Sequence, residues 1–285
     1  MQTANAGARL DRLPPSRFHY QMLGLIGGGM FLDAFEIYLQ GAVLAALIGI
    51  GWSTPAMNAN FISVTFAGMV VGAWFAGILG DDVTRTRELL RRLDLAAPSL
   101  HADYAGLKSN PEKWFETARV LEARFVVCPW LDPSERQTAD DWKRICDNLN
   151  AIGERATRAG LVLAYHNHDF EFVDLAAGVR PYDLLLSRTD ERFLKFELDV
   201  YWATKGKADP APLLRAHPSR FRLVHLKDMA TDGSFTEIGN GTLDFGDIIE
   251  AALQSGVEHF FVEQDVAPDP LRSIAVSIAY LRRLG

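Results

Sequence analysis

Lysine and arginine are missing from a long stretch near the start of this chain. Residues 18–80 contain neither, and the only acidic residues there are Asp33 and Glu36. Two apolar runs in this stretch, Tyr20–Trp52 and Phe61–Leu79, are each long enough to cross a hydrocarbon core of about 30 Å. Arginines precede the first run and follow the second. The positive-inside rule therefore predicts a transmembrane hairpin with both ends in the cytoplasm.

Cysteine is scarce as well. The two cysteines, Cys128 and Cys146, fit neither a disulfide framework nor a CxxC metal site. We therefore expect buried or free thiols, which are typical of a reducing compartment.

A basic run is also absent, which bears on the partners of the protein. The formal net charge is −7. Residues 1–80 contribute nothing to it, because their three arginines balance their three acidic residues. The whole charge therefore falls on residues 81–285. An acidic body without a basic patch argues against nucleic acid as a partner.

Two segments of the apolar head carry a family resemblance. The stretches "DRLPPSRFHYQMLGLIGGGMFLDAFEIYL" and "GAWFAGILGD" resemble the first two helices of a major facilitator superfamily transporter of the sugar or metabolite porter kind. The resemblance implies a transporter-like hairpin over residues 1–81, without the further helices that build a transport pathway. Asp33 and Glu36 would lie mid-span, either as a proton or substrate relay or as a hydrated pair near a helix bend.

Strand and helix patterns alternate along residues 82–285. No glycine-rich phosphate loop follows any predicted strand, so the pattern favours a parallel barrel over a doubly wound sheet. Eight strands close such a barrel and only six are predicted. We therefore expect an α/β fold that is an incomplete (β/α)8 TIM barrel lacking its first β-α-β unit. The predicted helices cover residues 83–93, 111–121, 139–159, 182–187, 210–216, 245–255 and 270–283, and the predicted strands 97–102, 123–129, 161–167, 194–201, 221–227 and 259–264.

Acidic residues and histidines end four successive predicted strands. Alternation along a strand places every second side chain on one face, so these groups are expected at the mouth formed by the carboxyl ends of the strands. Mixed oxygen and nitrogen donors suit Mn²⁺, Co²⁺, Zn²⁺ or Fe²⁺ better than Ca²⁺. The side chains that share a face are His166 with His168, Glu197 with Asp199 and Tyr201, His225 with Lys227, and Glu263 with Asp265.

Each of these groups has a simpler explanation when it is taken alone. Asp199 could accept hydrogen bonds from the backbone, and Glu263 could pair with an arginine. Lys227 could form a salt bridge with Glu197 or Glu263 rather than bind a substrate oxygen. Asn240-Gly241 is more simply a turn than a loop that covers the substrate. Four such strand ends in succession nevertheless favour a metal site. Trp130 and Trp202, just past strand ends, could stack on a sugar or pack under loops.

The body as a whole resembles the sugar phosphate isomerase/epimerase family, which has a xylose isomerase-like TIM barrel. The stretches that carry the resemblance are "APSLHADYAGL", "LVLAYHNHDFEF", "FELDVYWATKGKADP", "FRLVHLKDM", "FTEIGNGTLDF" and "HFFVEQD". The resemblance implies a divalent metal (Mn, Co, Zn, Mg or Fe) held by Glu, Asp, His and Glu. Asp199, His225 and Glu263 match the last three ligands. His166 stands where many members have the first Glu, and His168 or Glu171 could substitute for it.

The chemistry implied by the resemblance is proton abstraction next to a carbonyl through an enediolate, which the metal stabilises as a Lewis acid. Glu263 would be base and ligand together, with His166 or His168 as the opposing acid or base. Lys227 would stabilise the enediolate. The implied substrate contacts are His101, His168 and Trp202.

Three functions remain open from the sequence. The first is a metal-dependent sugar (phosphate) isomerase or epimerase, impaired if strands are missing, that acts on a small sugar-like molecule. The others are a transporter fragment with a non-catalytic tail and a non-functional fusion. Residues 18–80 predict a place at the cytoplasmic membrane with the barrel on the cytoplasmic side, or in the cytoplasm if the head is not inserted.

Overall fold

The computed structural model describes residue 54, residues 83–175 and residues 178–284. The chain divides into two units, Met1–Asp81 and Asp82–Gly285. The predicted transmembrane hairpin, with Asp33 and Glu36, lies outside the described residues and stays a prediction. Within the described part of the chain, no helix has the length and apolar character needed to cross a membrane.

Six parallel strands of residues 83–284 form one sheet in the order β1-β2-β3-β4-β5-β8. This arrangement confirms the predicted incomplete α/β barrel of about six strands. A short antiparallel pair, β6 and β7, follows β5 and was not predicted. The strands are β1 Ser99–His101, β2 Phe125–Cys128, β3 Val162–His166, β4 Leu194–Asp199, β5 Phe221–Leu226, β6 Asp228–Met229, β7 Phe235–Thr236 and β8 His259–Val262.

Helices separate the strands, as the alternating pattern predicts. The bounds of α1, α3 and α7 agree with the predicted ranges, whereas the short α2 and α6 were missed. The helices are α1 Val83–Leu93, α2 Tyr104–Ser109, α3 Pro111–Leu121, α4 Ala139–Arg158, α5 Pro181–Arg188, α6 Val200–Lys205, α7 Pro210–Ala216, α8 Phe245–Gln254 and α9 Pro270–Leu284.

The predicted strand over residues 194–201 is too long. It ends at Asp199, whose Oδ1 accepts a hydrogen bond from the Trp202 N–H at 2.9 Å and so caps α6. Tyr201 therefore lies on a helix and does not share a strand face with Glu197. Its hydroxyl donates to the Gly233 carbonyl at 2.8 Å. His168 likewise lies in a loop, because β3 ends at His166.

Alternation along the strands separates two apolar layers. Every second residue of a strand packs against the helices, in a large buried cluster that includes Phe196 and Leu198. The opposite face, inside the barrel, has a small apolar cluster of Phe125, Val127, Ala164 and Leu223. Beyond it, the inward positions near the carboxyl ends of the strands hold polar side chains. Cys128 and Cys146 are buried and free, which confirms the expectation of unpaired thiols.

The loop after β5 is organised by Asp228. This fully buried carboxylate accepts hydrogen bonds from the backbone N–H groups of Met229, Gly239 and Gly241 at 2.8, 2.8 and 3.0 Å. Gly241 is needed there, because a Cβ at that position would lie 2.3 Å from Asp228 Oδ1. The Asn240 N–H donates to the Glu237 carbonyl, so Asn240-Gly241 lies in a turn.

Candidate active site

The carboxyl ends of β3, β4, β5 and β8 bring acidic and histidine side chains together. His166 of β3 is paired in register with Glu197 of β4, and Asp199 with His225 of β5. All four side chains are buried. Glu263 follows β8, and its side chain is 42% exposed. The site therefore has a buried floor and one carboxylate that solvent or a ligand can reach.

Three of the predicted metal ligands converge. One donor atom from each of Asp199, His225 and Glu263 lies within 4.8 Å of the others. His225 Nδ1 is 2.5 Å from Glu263 Oε2. The fourth predicted ligand, His166, is next to them, with its Nε2 4.0 Å from Asp199 Oδ2. We call Asp199, His225 and Glu263 the carboxylate site.

Lys227 adds a fixed positive charge beside this site. Its Nζ lies 3.0 Å from Asp199 Oδ2 and 3.2 Å from Glu263 Oε2, and it donates a hydrogen bond to Asp265 Oδ1 at 2.7 Å. Burial alone would lower the pKa of Lys227, but the charge of Asp199 and the bond to Asp265 raise it above its usual range. The lysine is therefore a permanent ammonium, paired with these three carboxylates.

The carboxylates of the site are held at different pKa values. A hydrogen bond with His225 lowers the pKa of Glu263 to about 2. Burial raises the pKa of Asp199 to about 6, although Lys227 acts in the opposite direction. Glu263 is therefore ionised at neutral pH and can accept a proton.

The two buried imidazoles also differ. Burial lowers the pKa of His166 to about 4, so this ring is neutral at pH 7. Burial would lower the pKa of His225 too, but the neighbouring carboxylates of Glu197 and Glu263 raise it to about 10. His225 thus lies where the surrounding carboxylates favour a positive charge.

Glu197 is a site residue that the sequence analysis did not nominate. It is fully buried, and its Oε2 lies 2.8 Å from His101 Nε2, 3.2 Å from His166 Nδ1 and 3.3 Å from His225 Nε2. Burial would raise its pKa, but the three histidines hold it far below the usual range. The signal was its position two residues before Asp199, on the same face of β4.

Two of the predicted substrate contacts form an aromatic edge to the site. The rings of His168 and Trp202 have centroids 5.2 Å apart, and Lys227 Nζ is 5.8 Å from the Trp202 ring. Phe235 of β7 lies against Trp202 at 5.9 Å. Trp130 is 44% exposed, and no contact with this edge is seen within residues 83–175 and 178–284.

Glu171, the alternative first ligand, is committed to other partners. Its Oε1 accepts a hydrogen bond from the Tyr165 hydroxyl at 2.6 Å and its Oε2 accepts one from the His168 N–H at 2.8 Å. Burial raises its pKa to about 7. Glu171 therefore positions the loop that carries His168.

The donor set fits a divalent cation. Carboxylate oxygens and imidazole nitrogens are ligands for Mn²⁺, Fe²⁺, Co²⁺ and Zn²⁺. Asp199 Oδ2 is buried without a hydrogen-bond partner among the described residues, since its approach to Lys227 is an ion pair without hydrogen-bond alignment. A bound cation would give this atom a second partner beside the Lys227 ammonium, with which it already forms an ion pair.

Comparison with known proteins places the barrel in a family. The sequence profile of the xylose isomerase-like TIM barrel matches residues 64–284. The chain belongs to this family. The chain is similar to an inosose dehydratase from Geobacillus thermodenitrificans, with 24% identity over 283 residues that cover 81% of this chain and 93% of that protein.

A solved structure of the same architecture is similar to this barrel. It is a sugar phosphate isomerase/epimerase from Parabacteroides distasonis, with 27% identity and a TM-score of 0.61, and the match covers 70% of this chain and 75% of that chain.

A second comparison concerns a different part of the sequence. The inner membrane metabolite transport protein YdjE of Escherichia coli is 43% identical over 81 residues. The match covers 28% of this chain but only 18% of that protein. The transporter-like hairpin over residues 1–81 therefore stays a prediction.

Proposed function

We propose that this chain is a metal-dependent enzyme that removes a proton from the carbon next to the carbonyl of a sugar-like ketone, leading to isomerisation or epimerisation. Relatives that are inosose dehydratases and sugar isomerases or epimerases support a sugar-modifying enzyme. The observation that carries the finer proposal is the convergence of Asp199, His225 and Glu263. His166 completes the proposed ligand set.

The proposed roles follow from charge and exposure. A divalent cation, when bound, would supply a Lewis acid for the oxygens of the substrate. Glu263 is ionised and half-exposed, so it can take the proton from a substrate carbon as a general base. The Lys227 ammonium would stabilise negative charge that develops on a substrate oxygen.

The opposite proton acceptor or donor would be His166 or His168. Burial lowers the pKa of both imidazoles, so both are neutral and able to accept a proton at pH 7. His168 and the Trp202 ring would contact one side of the sugar, since aromatic faces stack on apolar sugar faces. His101, at the end of β1, is the third proposed substrate contact.

The test is exchange of substrate protons with solvent. The purified full chain with added Mn²⁺ is incubated in D₂O with D-tagatose, L-ribulose or scyllo-inosose, and deuterium at the carbon next to the carbonyl is followed by NMR. Glu263→Gln should lower exchange at least about 1,000-fold, within the range of a lost general base. Glu258→Gln, at the residue before β8, is the matched control and should keep the wild-type rate. Exchange that survives Glu263→Gln, or a protein that binds no divalent cation, contradicts the proposal.

Dehydration is a second candidate, favoured by the inosose dehydratase relatives. It begins with the same proton abstraction and continues with loss of hydroxide from the neighbouring carbon, which leaves an unsaturated ketone. Ultraviolet absorbance of that ketone would identify dehydration. Deuterium in recovered or rearranged ketose without that absorbance would identify isomerisation or epimerisation.

For residues 18–80 the proposal is a membrane anchor that keeps the barrel on the cytoplasmic side. Their lack of basic residues and the partial match to a transport protein support it. The test is fractionation of cells that express the full chain, followed by an alkaline carbonate wash of the membranes. Recovery of the chain in the soluble fraction would contradict the anchor.

A further inference from the structure

We propose a second divalent-cation site, formed by His101, His166, Glu197 and His225, which we call the histidine site. It lies one strand step before the carboxylate site, because Glu197 precedes Asp199 by two residues on the same face of β4. The proposal does not depend on the reaction proposed above.

The distances from the Glu197 carboxylate to the three imidazoles are close to those of a tetrahedral site. One donor atom from each residue lies within 4.8 Å of the other three. Glu197 Oε2 is 2.8, 3.2 and 3.3 Å from the nitrogens of His101, His166 and His225. Ligands held tetrahedrally at the usual zinc distances are roughly 3.3 Å apart. The carboxylate-to-imidazole distances are thus close to the edges of such a tetrahedron.

The spacing of the three imidazole rings also fits a tetrahedral site. Their centroids are separated by 5.5 Å (His101 and His166), 5.7 Å (His101 and His225) and 4.7 Å (His166 and His225). Three imidazoles that bind one tetrahedral zinc ion through a single nitrogen each have centroids roughly 5 Å apart. The ring separations are therefore close to those of three imidazoles on one zinc ion.

Hydrogen bonding alone does not account for this arrangement. A carboxylate oxygen has about two lone pairs, yet three imidazole nitrogens approach Glu197 Oε2. Only the His101 contact has hydrogen-bond geometry. Glu197 Oε1 and His166 Nδ1 are buried without a hydrogen-bond partner within residues 83–175 and 178–284. Buried polar atoms without partners are rare, and a shared cation would satisfy those that face it.

The competing explanation is that Glu197 only orients the imidazoles of the carboxylate site. Carboxylates often hold metal-binding histidines through the second ring nitrogen. That role fits His225, whose Nδ1 faces Glu263 and whose Nε2 faces Glu197. It does not explain His101, whose ring contacts Glu197 but no ligand that belongs to the carboxylate site alone within the described residues.

The donors also indicate the kind of cation. Three imidazoles and one carboxylate favour Zn²⁺ or Co²⁺, whereas the carboxylate site, with two acidic residues, also tolerates harder cations. His225 belongs to both sites, and His166, the fourth proposed ligand beside the carboxylate site, also belongs to the histidine site; each would use opposite ring nitrogens for the two sites. A neutral imidazole has only one acceptor nitrogen. Cations at the two sites therefore compete, and a single chain is expected to hold one tightly.

Cobalt absorption separates the two explanations. Tetrahedral Co²⁺ absorbs visible light much more strongly than six-coordinate Co²⁺. Co²⁺ alone is titrated into the chelator-treated full chain and into three variants. Glu263→Gln removes a ligand that only the carboxylate site uses. His101→Ala removes one that only the histidine site uses. His217→Ala, at the end of α7, is the matched control.

The expected result is a strong tetrahedral spectrum in the wild type, Glu263→Gln and His217→Ala. His101→Ala should lose this spectrum and bind Co²⁺ at least about tenfold more weakly at this site. The His101 side chain is 41% exposed, so its loss should leave the fold intact. Circular dichroism checks this, and His101→Gln is the second variant if His101→Ala unfolds.

Two results would overturn the proposal. One is the absence of a tetrahedral spectrum in the wild type. The other is a spectrum and affinity that survive in His101→Ala but disappear in Glu263→Gln, which would make Glu197 an orienting carboxylate only. The outcome of the proton-exchange test does not affect this proposal. A Glu263→Gln chain that keeps the cobalt spectrum supports the histidine site even if no ketone exchanges its protons.

Discussion

The two faces of the six-stranded sheet have different kinds of side chain. The face toward the helices is a continuous apolar layer, in which buried side chains such as Phe196 and Leu198 stabilise the fold. Among residues 83–175 and 178–284, the buried apolar cluster of the interior face has four residues, and beyond it lie buried carboxylates, imidazoles and one ammonium. Buried charges cost free energy unless they are paired, so this cluster is poor at stabilising a fold and suited to binding a cation or substrate.

Neighbouring residues of strand β4 show this difference between the two faces. Phe196 and Leu198 point to the helices, whereas Glu197 and Asp199 point inside. Neighbouring substitutions should therefore produce opposite effects. A change on the interior face should alter activity with little loss of stability, and a change on the helix face should do the reverse.

Among substitutions that compare the two faces of β4, the largest effect on proton exchange is expected for Asp199→Asn. The amide oxygen can still accept the Trp202 N–H that begins α6, so the fold should remain. A proposed metal ligand is lost, and we expect proton exchange to fall by more than about 100-fold, above the usual cost of losing a group behind a ligand. The measurement is the exchange rate in D₂O at saturating Mn²⁺.

Asp209→Asn, at the exposed start of α7, is the control for that substitution and should exchange at the wild-type rate. A rate for Asp199→Asn within a few-fold of the wild type would show that the interior cluster is structural. In that case the two faces of the sheet would not differ in function.

Leu198→Ala tests the helix face one residue away. Leu198 is fully buried, and truncating such a side chain costs about 2–5 kcal/mol of unfolding free energy. Urea unfolding measures this loss. Exchange by the folded fraction should stay at the wild-type level, because the side chain points away from the site. A large loss of exchange in fully folded Leu198→Ala would mean that the two faces are coupled.

A smaller loss of unfolding free energy is expected for a substitution at Gly153, where α4 lies close to the backbone just before β4. A Cβ on Gly153 would lie 2.1 Å from the Phe193 carbonyl oxygen, and backbone atoms cannot easily give way. Gly153→Ala should therefore cost about 1–3 kcal/mol of unfolding free energy, although alanine favours a helix. Gly246→Ala in α8 is the milder comparison, because the nearest atom to its Cβ is a side-chain atom, Asp244 Oδ1, at 3.2 Å. Equal stability of the two variants would contradict this close approach.

Much of this contrast could be predicted from the sequence. Strand alternation brought Asp199, His225 and Glu263 together before any coordinates, since parallel strands end at one edge. Helix bounds such as Pro111–Leu121 were also correct, because proline and apolar spacing mark them. These features depend on local pattern alone.

Other features depend on contacts between distant residues. The segment after Asp199 has β-branched and aromatic residues that favour a strand, but the Asp199 cap makes it helix α6. Glu197 was placed on the correct face of β4, yet its three histidine contacts come from β1, β3 and β5. Sequence spacing places Glu197 at the mouth of the barrel but does not show that three histidines converge on its carboxylate.

The smallest expected effect is a pH dependence of the unfolding free energy. It is caused by Glu171, whose carboxylate accepts a hydrogen bond from the His168 N–H. Burial raises its pKa to about 7, above the value of about 4.3 expected in the unfolded chain. Between these values the folded state binds a proton that the unfolded state lacks. The stabilisation is therefore complete below about pH 4.3 and is lost as pH rises through about 7. In the chelator-treated chain, unfolding free energy should fall by no more than about 1.4 kcal/mol per pH unit on this account. Glu171→Gln should flatten the profile from pH 5 to 8, while Asp199 contributes equally to both chains. Parallel profiles would show that Glu171 is ionised throughout this pH range, so that a charge lies buried beside the helix-facing Tyr165 as well as in the interior.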